Sequence, residues 1–82
     1  MTPEQAFGRV LRAVREERHL SQEYLALESG YSREYISMLE RGRKSPSLGA
    51  VFRLAQVLAV PPSELVRRTE AVQPTISERR QN

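Results

Sequence analysis

Eighty-two residues are enough for one domain with one modest core. The chain has no cysteine and a single histidine, which excludes disulfide staples, thiolate metal sites and a histidine-built zinc site. Thirteen Lys and Arg against ten Asp and Glu leave a net charge of +3, which permits a nucleic-acid partner without demanding one. The first residues hold no uninterrupted apolar stretch and no run is long enough to span a bilayer, so we expect no signal peptide, no membrane association and a cytoplasmic location.

Apolar residues recur at helical spacing almost throughout and no segment alternates with period two, which predicts an all-α chain. Thr2-Pro3-Glu4-Gln5 reads as a helix start, with Thr2 as cap, Pro3 at the first helical position and Gln5 closing a capping box. The helix that follows turns Phe7, Val10, Leu11 and Val14 onto one face and Arg9, Arg12, Glu16 and Glu17 onto the other, ending near His19. His19 has no serine or acid at motif spacing and reads as a solvated residue near a helix end. Ser21 caps a short helix through Glu28 with Leu25 and Ala26 inward, and Ser29-Gly30 stops it, Gly30 being free to take a positive φ.

Ser32 caps a third helix, which Gly42 ends. At roughly 100° per residue Tyr35, Ile36 and Leu39 share one side of it, while Arg33, Glu34, Ser37, Met38 and Arg41 fan across the other. "RGRKSPS" is a basic loop, and Ser47 caps a fourth helix with Leu48, Val51, Leu54, Ala55 and Leu58 on its buried stripe and Phe52 near the core. "VPPSE" breaks that helix and Pro62 opens a fifth, through about Arg68, burying Leu65 and Val66. This divides the chain into a domain over residues 1–68 and a tail over 69–82 that has no periodicity. The tail is either flexible or an arm on a partner subunit through Val72 and Ile76.

The window from Gln22 to Leu39, two short helices about a turn containing Gly30, has the helix-turn-helix layout, with a small Ala26 where the helices cross and Ile36 and Leu39 anchoring the second. "LSQEYLALESGYSREYISMLERGRKSPSLGAVFRLAQVLAVPPSELV" resembles the phage-repressor-like (XRE/Cro) helix-turn-helix domain, and the likeness extends over roughly residues 5–68. Ser29 departs from it, in a slot that is commonly apolar in the family.

The resemblance implies a lambda-repressor-like bundle of five helices that puts its third helix into the major groove of double-stranded DNA, as a homodimer on a pseudo-palindromic site with reading helices roughly 34 Å apart. Base-reading then falls to Arg33, Glu34, Ser37 and Met38: Arg33 suits guanine O6 and N7, Glu34 cytosine N4, Met38 a thymine methyl, and Ser37 several partners. Phosphate contacts fall to Gln22, Ser32, Arg41, Arg43, Lys44 and Ser47, and the dimer surface to Leu65, Val66, Val72 and Ile76. Arg15 and Glu40 occupy positions that the family often joins by a structural ion pair. The function expected is that of a sequence-specific transcriptional regulator, a repressor, with no cofactor, metal or small-molecule ligand.

The alternative is an antitoxin or adaptor that uses the same fold to grip another protein, against which the fourteen residues from Thr69 are a short gripping segment. Three tyrosines and two phenylalanines are few for a single-stranded RNA platform, and no acid, base and nucleophile converge to suggest an enzyme.

Overall fold

Hydroxyl side chains set where the first four helices begin. Thr2, Ser21, Ser32 and Ser47 each accept a hydrogen bond from the backbone N–H three residues on, at 3.1, 3.0, 3.0 and 3.0 Å. Each cap satisfies a donor that the helix cannot, a contribution of about 1 kcal/mol. Thr2 completes a capping box, its own N–H donating to Gln5 Oε1 at 2.9 Å. The computed structural model describes residues 1–72, and the expected arm residue Ile76 lies outside them. The helices are α1 (Pro3–Glu17), α2 (Gln22–Ser29), α3 (Arg33–Glu40), α4 (Leu48–Leu58) and α5 (Pro62–Val72), with no strand among the described residues.

α1 packs on α3 and α5, α2 on α3 and α4, and α4 on α5, so the bundle closes around one core. Leu11, Val14, Leu25, Ile36, Leu39, Leu54, Leu58 and Leu65 are fully buried in it. The turn between α2 and α3 is made by Gly30 at φ 83°, where the N–H groups of Gly30 and Tyr31 both donate to the Ala26 carbonyl, at 3.0 and 2.9 Å. Ser29, beside that turn, is buried, and its hydroxyl donates to the Leu25 carbonyl at 2.6 Å. The polar atom in an otherwise apolar slot is thereby satisfied, and among the described residues no buried side-chain N or O lacks a partner.

α1 meets the end of α3 at Gly8. A Cβ there would run into the carbonyl oxygens of Leu39 and of Glu40, the latter at 2.6 Å. This glycine therefore sets the separation of α1 from α3.

Three expectations about burial fail together. Leu48 is 74% exposed, Phe52 56% and Val66 53%. All three line one groove between α4 and the start of α5. Periodicity identifies the apolar side of a helix, but among the described residues no further element lies over this part of it. α5 also runs one turn past the expected end near Arg68. Thr69 Oγ1 donates to the Leu65 carbonyl at 2.7 Å, and Arg67 and Arg68 each pair with Glu64 at 2.8 Å. No helix among the described residues is long and apolar enough to cross a membrane.

Candidate nucleic-acid interface

α3 is eight residues long, too short to persist alone in water. Ile36 and Leu39 pin it to the core with no surface exposed, and Tyr35 is half-buried beside them. Burial raises the Tyr35 phenol pKa, helped by Tyr31, whose ring centroid lies 4.7 Å away. The Arg53 guanidinium of α4 sits over the Tyr31 ring at 5.6 Å. The opposite face of α3 is open: Arg33 and Glu34 are exposed, and Ser37 and Met38 half-exposed. These four form one outward surface at the start and middle of the helix.

Cations follow that surface at the C-terminal end of α3. Arg41, Arg43 and Lys44 are all exposed in the segment following α3, which Gly42 turns at φ 72°. A Cβ on Gly42 would come 2.8 Å from Gln5 Cα, so a close approach to α1 also holds this segment in place. Ser32 and Ser47 already spend an oxygen lone pair on their caps, and each keeps its hydroxyl hydrogen to donate.

Behind the surface lies a set of polar contacts that joins the expected residues more tightly than their spacing suggests. Arg15 Nε donates to Glu40 Oε2 at 2.6 Å and Nη2 to Oε1 at 3.0 Å, a forked pair whose side chains are 11% and 4% exposed. Arg15 Nη1 donates to the Leu20 carbonyl at 2.8 Å. The hydrogen bonds to Glu40 raise the Arg15 pKa, against burial, which lowers it. Gln22 Nε2 donates to Glu40 Oε1 at 3.0 Å, and Arg33 Nη1 donates to Gln22 Oε1 at 3.2 Å. Glu23, which sequence reasoning missed, approaches Arg33 Nε at 3.8 Å. Gly8 was missed too, although a glycine inside a well-patterned helix is a recognisable signal of close packing.

The expected dimer residues separate. Leu65 is wholly buried in the chain's own core and has no surface to offer a partner, so it is removed from that set. Val66 and Val72 are exposed, at 53% and 44%. Among the described residues no His, Cys, Asp or Glu cluster is suited to a metal ion.

A family model described as helix-turn-helix matches residues 11–65. The HTH-type transcriptional regulator y4dJ of Sinorhizobium fredii, itself uncharacterised, is 44% identical over 57 residues, which is 70% of this chain and 74% of that protein. The control protein C.BamHI of Bacillus amyloliquefaciens is 38% identical over 61 residues, 73% of this chain and 75% of that one. The crystal structure of the restriction-modification controller protein C.AhdI from Aeromonas hydrophila superposes with a TM-score of 0.74 at 42% identity, covering 76% of this chain and 94% of that chain. The chain spans 49% of two mycobacterial regulators that it also matches. It belongs to the helix-turn-helix family, the phage-repressor-like group that its sequence resembles.

Proposed function

We propose that the chain is a DNA-binding transcriptional regulator, a repressor, that lays α3 in the major groove. The observation that carries this reading is the division of α3 itself. Ile36 and Leu39 are fully buried, while Arg33, Glu34, Ser37 and Met38 form an outward face, followed at the end of the helix by the exposed Arg41, Arg43 and Lys44. A groove that admits a helix and displays donor and acceptor patterns suits such a face. Arg33 offers parallel donors to guanine, Glu34 accepts from cytosine N4, Met38 packs on a thymine methyl and Ser37 serves either sense. Gln22, Ser32, Arg41, Arg43, Lys44 and Ser47 hold phosphates and fix the register, carrying no sequence information themselves. The names of C.BamHI and C.AhdI, a control protein and a restriction-modification controller, favour a regulatory role for this chain too.

The regulator acts as a homodimer. Leu48, Phe52 and Val66 are its contact surface, in place of the buried Leu65; Val72 lines a separate groove between α1 and α5 and is not part of it. Sedimentation tests this: Phe52→Glu is expected to shift dimer to monomer, and an unchanged dimer removes this surface from consideration.

Titration against random duplex DNA at several salt concentrations tests the function. A groove binder shows log K falling with log salt at roughly −0.9 per neutralised phosphate, and Lys44→Ala flattens that slope by about one unit. Arg33→Ala matters little on random DNA and much more on a selected operator. Negligible affinity at low salt overturns the proposal and leaves the protein-gripping module as the reading.

A further inference from the structure

We propose that Glu40, buried and facing away from the groove, is a positioning residue for Arg33: acting through Gln22, it determines which edge of that arginine is offered to a base. The inference rests on the reading of Arg33 as a base-contacting residue.

An ionised carboxylate can only accept hydrogen bonds. Glu40 Oε2 is taken by Arg15 Nε at 2.6 Å, and Oε1 receives both Arg15 Nη2 and Gln22 Nε2, at 3.0 Å each. The amide nitrogen of Gln22 must therefore face Glu40, which turns the amide oxygen outward. That oxygen accepts from Arg33 Nη1 at 3.2 Å. The reverse orientation would set an acceptor against the carboxylate and present an NH2 group to the guanidinium, a donor to a donor. Exposure falls along this relay from 53% for the Arg33 side chain to 4% for that of Glu40, so a mobile surface group is referred back to a rigid core pair.

An unheld arginine samples many rotamers, each presenting a different edge. With one Nη1 hydrogen tied to Gln22 and Nε turned to the Glu23 side, Nη2 and the other Nη1 hydrogen are left to form the fork that matches guanine. Glu23 cannot do this work, since 3.8 Å is beyond hydrogen-bond range and its side chain is 72% exposed.

The test measures base preference, which a merely stabilising residue would leave alone. A preferred duplex is selected from a randomised pool, and binding is compared across single base-pair changes for the unaltered chain, Arg33→Ala, Gln22→Met, Glu40→Gln and the two double variants with Arg33→Ala. Arg33→Ala identifies the base pair that Arg33 reads. Gln22→Met keeps the side-chain length, removes both hydrogen bonds and leaves the Arg15–Glu40 pair in place. The second Nε2 hydrogen of Gln22 remains for the phosphate, and loss of that contact weakens binding to every sequence alike and cancels from the ratio. Glu40→Gln allows the Gln22 amide either orientation.

We expect both single variants to lose preference at the base pair read by Arg33 by about fivefold, the worth of one ordinary hydrogen bond. Preferences elsewhere stay as they are, and neither variant adds to the loss once Arg33 is alanine. If Arg33→Ala flattens one position and Gln22→Met leaves that position unchanged, the positioning role is overturned while the groove reading survives. If Arg33→Ala alters no position, the groove reading itself fails. If Gln22→Met loses that preference and a folded Glu40→Gln keeps it, Gln22 holds Arg33 without Glu40 and the proposal fails. Should Glu40→Gln unfold the chain, Glu40→Asp, whose shorter side chain withdraws the carboxylate from Gln22, takes its place in the same comparison.

Discussion

Alanine differs from glycine by one methyl group, and at residue 8 that methyl has nowhere to go. In an ordinary helix interior Gly→Ala gains about 0.5–1 kcal/mol. Here the added Cβ meets two backbone carbonyls, and carbonyls at the end of a helix cannot swing aside as a flexible side chain would. Overpacking of this kind costs about 1–3 kcal/mol, which outweighs the propensity gain and reverses its sign. Gly8→Ala is therefore expected to lower the urea midpoint, and a higher midpoint would show that α1 and α3 can part at little cost. Arg15 and Glu40 follow a different rule. Glu40→Ala leaves a buried guanidinium without its partner and is expected to cost about 3–5 kcal/mol, whereas Arg15→Met with Glu40→Leu, which removes both charges, costs less. Denaturation of the two variants checks the order.

At the scale of helices, local chemistry is largely readable. Thr2, Ser21, Ser32 and Ser47 cap the helices that their positions in the sequence suggest, because a cap is a contact between residues three apart. The end of α5 is less readable. Thr69 looks like a stop, yet its hydroxyl bonds back to Leu65 within the helix. Leu48 and Phe52 mislead for a different reason, since burial depends on what else packs there and a helical stripe holds no information about that. α5 also carries a pH dependence. Hydrogen bonds from Arg67 and Arg68 hold the Glu64 carboxyl below the usual carboxylate range. A carboxylate with a depressed folded-state pKa contributes stability above its unfolded value and loses it as pH falls through the folded one. The melting temperature of the unaltered chain should exceed that of Glu64→Gln near neutrality and converge on it in acid. A gap that persists at low pH would rule this out.

For the whole molecule, the outward face of α3 follows from a helical wheel, and the run of exposed cations after it from the basic loop. The polar network behind them does not. Gln22 and Glu40 are eighteen residues apart and Arg15 and Glu40 twenty-five, separations that no local pattern reports. The helical wheels, which set Glu40 and Arg15 at the edges of their inward faces, suggest the second pair together with the resemblance to the phage-repressor-like family, and the first emerges when the bundle closes. The same guanidinium has a consequence for how the molecule comes apart. Arg15 Nη1 holds the Leu20 carbonyl just before α2, while Nε and Nη2 hold Glu40 at the last residue of α3. One side chain thus clasps the two-helix unit at its entry and its exit, and neither end can be released without weakening the hold on the other. Backbone amides of α2 and α3 are accordingly expected to exchange with deuterium through a common opening, with one free energy shared by both helices. In Arg15→Met the two sets of amides should separate, α2 exchanging ahead of α3, so that the segment now breathing as one piece would fray as two.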